Sequence, residues 1–176
     1  MSRLPFERGT TTSSAGALGD EFYDPSRKQW LQVVKNTDAA ALKAKRYAKW
    51  ETPASYEVDY AIAAQDFAMA AGIVDPVLGS ATVPINAYCF LVTEGLVTAD
   101  VGSGTDLAAV GNFLIIATTA IAANKGKVGR LTAVAGAVGL LTAEVAANRQ
   151  IIGVSYAGIV SADSTNSVEM KIALRK

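Results

Sequence analysis

Several stretches of this chain place large apolar residues at every second position, and this period of two constrains the fold more than any other feature of the sequence. The clearest case is the segment 168–175, VEMKIALR, and the segment 56–62, YEVDYAI, repeats the pattern. Successive side chains of a β-strand point to opposite faces of a sheet. Each segment therefore predicts a strand that is buried on one face.

Other apolar runs are rich in β-branched and aromatic residues and are separated by glycine, proline or other turn-forming residues. They predict further strands at 29–36, 67–75, 87–93, 96–101, 113–119, 127–134 and 151–160, with Gly95 as one of the turns. Many short strands with regular turns predict an all-β fold, either a small β-barrel or a β-sandwich.

Two segments leave their secondary structure open. In residues 39–50, Asp38 is able to cap a helix, but the apolar residues also recur at even spacing, which favours a strand. Residues 142–149 are rich in alanine, and a short helix is allowed there.

The first 26 residues show no apolar periodicity. We therefore predict an extended N-terminal arm at 1–26 and a single β-rich domain at 27–176. Such an arm cannot offset its ordering entropy by its own burial, so we expect it to be disordered or to become ordered against a neighbouring subunit. A passive tail is the alternative. The candidate partner-binding residues of the arm are three aromatic anchors and two arginines: Arg3, Phe6, Arg8, Phe22 and Tyr23.

The residues that most enzymes use are scarce in this chain. It contains no histidine, which removes the most common general base and the imidazole metal ligands. Its single cysteine, Cys89, lies in an apolar run and predicts a buried side chain. The glycines near Lys127 and in 102–107 lack the spacing of a phosphate-binding or dinucleotide-binding loop.

Carboxylates offer no clear acid–base pair either, because no spacing forces two of them together. The candidates are Glu94, Asp100, Asp106 and Glu144. We therefore assign no catalytic, cofactor-binding or metal-binding residues, and we predict a protein that is not an enzyme and needs no cofactor.

Sixteen basic and sixteen acidic residues cancel, so the chain lacks the net positive field on which non-specific binding of nucleic acid relies. One basic cluster predicts a solvated strand face or a salt-bridged subunit contact, with a nucleic-acid contact as the alternative. Its members are Lys43, Lys45, Arg46 and Lys49. We predict no direct nucleic-acid partner.

The most apolar stretch, 107–123, is interrupted by Gly111 and Asn112 and falls short of the ~20 apolar residues that a membrane-spanning helix needs. The N-terminus also lacks the unbroken apolar core of a signal peptide. We predict neither a membrane partner nor secretion by that route.

The C-terminal half carries a series of strand and glycine-turn motifs. A strand runs into EGLV at 94–97, and it is followed by VGNFL at 110–114, a glycine-rich stretch, IIGVS at 151–155 and the closing alternating strand. In this pattern the chain resembles the head decoration, or cement, proteins of tailed bacteriophages. The resemblance covers about half of the chain.

This resemblance implies an all-β protein without catalytic residues that binds the outside of an icosahedral capsid and reinforces it against internal DNA pressure. The implied partners are the major capsid protein and further copies of the chain, with a homotrimer favoured and a dimer as the alternative. The implied location is the outer capsid surface of the virion, after synthesis in the host cytoplasm. A major shell subunit or a tail-tube subunit is the alternative, followed by a small ligand-binding β-barrel or an enzyme.

Overall fold

The computed structural model describes residues 17–60, 70–101, 113–116, 126–130, 153–155 and 167–173. These residues form strands and two short 3-10 helices, Pro53–Ser55 and Pro76–Leu78. The strands are β1 Glu21–Asp24, β2 Gln29–Asn36, β3 Leu42–Lys43, β4 Tyr47–Thr52, β5 Glu57–Tyr60, β6 Ala70–Val74, β7 Thr82–Val83, β8 Tyr88–Asp100, β9 Phe113–Ile116, β10 Val128–Arg130, β11 Gly153–Ser155 and β12 Ser167–Ala173. The all-β prediction is confirmed.

The local patterns placed most of these strands. β2 has the bounds predicted for it, and β5 lies within the alternating segment 56–62. β12 begins one residue before the segment 168–175 and covers most of it. The ambiguous segment 39–50 contains β3 and most of β4, so the strand interpretation is confirmed there. The helix allowed at 142–149 lies outside the described residues.

Ten of the described strands form one sheet that bends back on itself. Its order is β1-β2-β5-β4-β6-β8-β12-β11-β9-β10, and β2 also pairs with β8. The strands β2, β5, β4, β6 and β8 are thus connected in a circuit that returns to β2. The β2–β5 pair is parallel, and the other four pairs of the circuit are antiparallel.

The remaining strands extend the sheet beyond β8. β12 pairs with the second half of β8, from Glu94 to Asp100, and the order continues through β11 and β9 to β10. A parallel bridge between Val101 and Val128 brings this end of the sheet back to the end of β8. The long strand β8 therefore takes part in both halves of the fold.

Two apolar cores lie on opposite faces of the shared strands. The first core includes Leu31, Phe90, Val97, Met170 and Ile172. The second core includes Val34, Leu42, Val58, Val83 and Leu91. Each large side chain that is removed from water in this way contributes about 2 kcal/mol to folding. The middle of the sheet is therefore buried on both faces, and alternation is lost in β8 from Cys89 to Thr93.

Gly95 does not form the turn that was predicted there, because β8 runs through it without a break. Its φ of 115° lies in the region that only glycine adopts readily. Before Gly95 the even-numbered residues Phe90 and Val92 face the first core, whereas after it the odd-numbered residues Val97 and Ala99 do so. The β2–β8 register skips Thr93 just before this glycine, and this β-bulge shifts the alternation by one residue and lets one strand serve both halves of the sheet.

No helix among the described residues is long and apolar enough to cross a membrane.

Candidate assembly surface

Strand β1 places two predicted anchor residues on opposite faces of the sheet. Phe22 is 7% exposed and packs its ring edge-on against Phe90, with ring centroids 6.3 Å apart. Tyr23 is 48% exposed and lies 5.3 Å from the ring of Trp30. Alternation along β1 produces this difference, since Phe22 is in register with Leu31 and Tyr23 with Trp30.

Over residues 17–26, the structure differs from the extended arm that the sequence predicts. Glu21–Asp24 pair with β2 of the same chain, and Phe22 belongs to the first core. In the sequence, Phe22 is an isolated aromatic residue in a polar segment, and this pattern does not predict that it is buried in a strand of the body. Residues Arg3, Phe6 and Arg8 lie outside the described residues.

Tyr23 is one of five exposed or half-buried residues on four strands whose side chains point away from the first core, and we call this set the outer face. It comprises Tyr23 on β1, Trp30 on β2, Leu96 on β8, and Glu169 and Lys171 on β12. Leu96 is 36% exposed and lies opposite Lys171 in the β8–β12 register. Each of these residues neighbours a first-core residue in its own strand, so alternation directs its side chain away from that core.

A groove with a volume of about 250 Å³ opens beside Leu96. Its walls combine apolar atoms of Leu96 and Pro76 with the opposite charges of Arg27 and Glu169. The Gln29 side-chain amide donates a hydrogen bond to the Leu96 carbonyl oxygen and fixes the floor of the groove. Gln29 and Thr98 add polar groups, and such a mixture of apolar, polar and charged groups is common in protein–protein contacts.

The cysteine thiol is enclosed by the fold and is not available for reaction at the surface. Cys89 is buried in the second core, and burial raises the pKa of its thiol to about 12, with Asp75 adding to the rise. The thiol is thus protonated and shielded at neutral pH. No group of three or more potential metal ligands occurs within the part of the chain that the structure describes.

The members of the basic cluster have different surroundings. The Nε of Arg46 lies 3.6 Å from an Oδ of Asp100, and its guanidinium group lies 5.9 Å from the centre of the Tyr60 ring. Lys43 is exposed at the end of β3, while Lys49 lies opposite Asp59 in the β4–β5 register. Arg46 therefore forms an ion pair within the chain at the end of β8, whereas the sequence predicted a solvated strand face or a salt-bridged subunit contact.

The four candidate carboxylates are not brought together as a pair among the described residues. Asp100 contacts Arg46 and accepts a hydrogen bond from the Ser167 hydroxyl at 3.3 Å. Glu94 lies in register with Trp30 and Ala173. Asp106 and Glu144 lie outside the described residues.

A different carboxyl pair, which the sequence analysis did not identify, lies beside β5. Asp38 is 4% exposed, and Asp59 hydrogen-bonds to it. Burial, that hydrogen bond and the nearby charge of Asp38 raise the pKa of Asp59 to about 7, against the opposing effects of the Tyr60 amide and Lys49. Asp59 was expected on a solvated strand face, and no local signal in the sequence links it to Asp38.

No protein family model matches the chain, and a search of curated proteins finds no match. Among solved structures, the chain is similar to a protein chain of the capsid of Myoviridae phage XM1, with a TM-score of 0.56 and 13% sequence identity. The similarity covers 89% of this chain and 89% of that one. At this identity the comparison establishes a shared fold, and the fold is one that a phage capsid contains.

Proposed function

We propose that this chain is a non-enzymatic structural protein of a tailed-phage virion that binds the outer surface of the head and stabilises it. The observation that carries the proposal is the fold, which matches a chain of a phage capsid over nearly its whole length. The strand and glycine-turn motifs of the C-terminal half, which resemble those of head decoration proteins, support the same role.

The absence of catalysis is part of this proposal. The chain has no histidine, and its one thiol is buried and protonated. The groove beside Leu96 is lined by one acidic and one basic side chain with both polar and apolar neighbours, which suits recognition of a protein surface. These features support a binding role for the exposed residues.

The outer face is the contact surface that we propose for the shell. Tyr23, Trp30 and Leu96 supply apolar area, and aromatic residues commonly carry much of the energy of such contacts. Arg27, Glu169 and Lys171 surround them with both signs of charge. Further copies of the chain are proposed to associate as trimers around the local three-fold positions of the shell.

Addition of purified protein to heads that lack it tests the proposal. A decoration protein should bind preformed, expanded heads, saturate at a fixed ratio to the shell protein and raise the temperature at which the heads release DNA. Co-sedimentation followed by electron cryomicroscopy would measure binding and stoichiometry, and the fluorescence of a DNA-binding dye during heating would measure the release of DNA. Absence of binding to preformed heads would contradict a decoration role.

A major shell or tail-tube subunit is the alternative, and a shared fold with a capsid chain is also compatible with a shell role. The same experiment separates the two, because a shell subunit is built into the particle during assembly and does not add to a finished one. Formation of closed particles or tubes by the purified chain alone would favour the alternative.

A further inference from the structure

The loop after β2 is held against β5 by the Asp38 carboxylate. One Asp38 oxygen accepts the Ala40 amide hydrogen at 2.8 Å, and the other accepts the Tyr60 amide hydrogen at 3.1 Å. The Tyr60 amide also reaches an oxygen of Asp59 at 2.5 Å. Two carboxyl groups therefore converge on one backbone N–H group.

The Tyr60 side chain extends this contact along the loop. Its hydroxyl donates to the Ala41 carbonyl oxygen at 3.1 Å and accepts the Lys43 amide hydrogen at 2.5 Å. Thr37 adds a hydrogen bond from its amide to the Val58 carbonyl oxygen at 3.0 Å. The whole segment 37–43 is thus anchored on β5.

Two carboxylates that share one amide donor repel each other when both are ionised, and a single shared proton converts this repulsion into a hydrogen bond. We propose that Asp38 and Asp59 share one proton and act as a pH-dependent clasp, which holds segment 37–43 on β5 when protonated and loosens it when the proton leaves. This inference does not depend on the proposed function.

Other charged groups around the pair act in both directions. Lys49, opposite Asp59 on β4, favours the ionised form of Asp59. Glu51 accepts a hydrogen bond from the Thr37 hydroxyl at 2.5 Å, and Lys35 lies 3.8 Å from Glu57 at the start of β5. Lys49 is the cation that acts on Asp59 directly, and its effect is outweighed by burial and by Asp38.

The direction of the pH effect follows from where the proton is bound. An unfolded aspartic acid loses its proton near pH 4, whereas Asp59 in the fold keeps it up to about pH 7. Between these values the native state binds more protons than the unfolded state, so stability falls as the pH rises. Above about pH 7 this contribution no longer changes.

The test compares wild type with Asp59→Asn and with the matched control Asp20→Asn. An asparagine at 59 still donates a hydrogen bond to the Asp38 carboxylate but does not titrate. Asp20 is exposed at the entrance to β1. We expect wild type and Asp20→Asn to lose thermal stability from pH 5 to pH 8 relative to Asp59→Asn. We also expect Ala40 and Tyr60 amide protection to fall in wild type over that range but not in Asp59→Asn.

A carbon-detected NMR titration of the wild-type carboxyl groups keeps the proposal falsifiable if Asp59→Asn fails to fold. A midpoint for Asp59 near neutral pH supports the shared proton, and a midpoint near 4 overturns it. Parallel stability profiles for wild type and Asp59→Asn would overturn it as well.

Discussion

At the scale of single residues, the hydroxyl groups of Tyr47 and Tyr60 show that the contribution of a buried polar atom to stability depends on its hydrogen-bond partners. Burial raises the pKa of both phenols, that of Tyr60 to about 12. The Tyr60 hydroxyl bonds the Ala41 carbonyl oxygen and the Lys43 amide, whereas the Tyr47 hydroxyl has no hydrogen-bond partner in the described parts of the chain. The same atom therefore stabilises the fold at one position and costs free energy at the other.

Removal of each hydroxyl should consequently change stability with opposite sign. We expect Tyr60→Phe to lower the free energy of unfolding by about 2 kcal/mol, because it leaves the Lys43 amide and the Ala41 carbonyl without their partner. Tyr47→Phe should raise it by about 1 kcal/mol, because it removes a desolvated hydroxyl. Urea unfolding followed by tryptophan fluorescence measures both, and equal losses in the two variants would disprove the difference.

The contact between Asp38 and Asp59, the two residues of the pH-dependent clasp, could not be predicted from local sequence patterns. Asp38 was recognised as a turn or cap residue and Asp59 as part of a polar strand face, and both interpretations follow from local patterns. Their contact arises because β2 and β5 pair in parallel, at Lys35 with Glu57 and at Asn36 with Val58. A parallel pairing between distant strands leaves no periodic trace in the sequence, so the pair could not be predicted.

At the scale of the strands, alternation predicted β5 and β12 because one face of each segment is polar, and an apolar run rich in β-branched residues predicted β2. The interpretation of Gly95 as a turn divided β8 in two, because glycine is far more common in turns than in strand interiors. Close packing around position 95 explains why a glycine stands in this strand. A Cβ at position 95 would lie 2.6 Å from the Lys28 carbonyl oxygen and 3.2 Å from the Gln29 Cα, so the β1–β2 turn packs directly on the backbone of β8.

Alanine substitutions at two glycines with positive φ should separate the stability cost of a steric clash from the cost of an unfavourable backbone conformation. Gly79 has a φ of 61°, but a Cβ there would meet nothing within 4 Å. We expect Gly79→Ala to cost about 1 kcal/mol, from conformation alone. Gly95→Ala should cost about 3 kcal/mol, because the clash with the Lys28 carbonyl is added. Urea unfolding measures both, and equal costs would show that the turn moves freely away from β8.

At the scale of the whole molecule, the sequence predicted an all-β body but could not choose between a barrel and a sandwich. The choice depends on which strands pair, and the bulge at Thr93 and the closing bridge between Val101 and Val128 arise from tertiary contacts. The candidate surface was predicted only in part. Tyr23 was predicted to be an aromatic anchor of the N-terminal arm, while Trp30 and Leu96 join it only once β1, β2, β8 and β12 are arranged in the sheet.

Substitutions on the outer face should weaken attachment to the head without unfolding the protein. We expect Tyr23→Ser and Leu96→Ser each to reduce binding to undecorated heads about tenfold, the effect of removing ~1.4 kcal/mol of contact energy. Ile85→Ser is the matched control, because Ile85 is 50% exposed in the turn before β8 and lies outside the outer face. Co-sedimentation titrations measure binding, and an equal loss in Ile85→Ser would contradict the assignment of this face.

Two truncations should separate the N-terminal segment into a part used for attachment and a part that belongs to the body. The sequence predicts that residues 1–16 belong to an arm outside the β-rich body, so after deletion of these residues the body should melt as in the full chain. If Arg3, Phe6 and Arg8 contact a neighbouring subunit as proposed, this deletion should still weaken binding to heads.

Deletion of residues 1–26 should in addition lower the melting temperature, because it removes β1 and takes the Phe22 ring out of the first core. Loss of a buried phenylalanine side chain alone costs about 3 kcal/mol or more. Melting curves measure the stability of both truncations, and titrations measure their binding to heads. Equal binding by the shorter deletion and the full chain would show that residues 1–16 are a passive tail, and equal melting by both truncations would show that β1 adds nothing to the stability of the sheet.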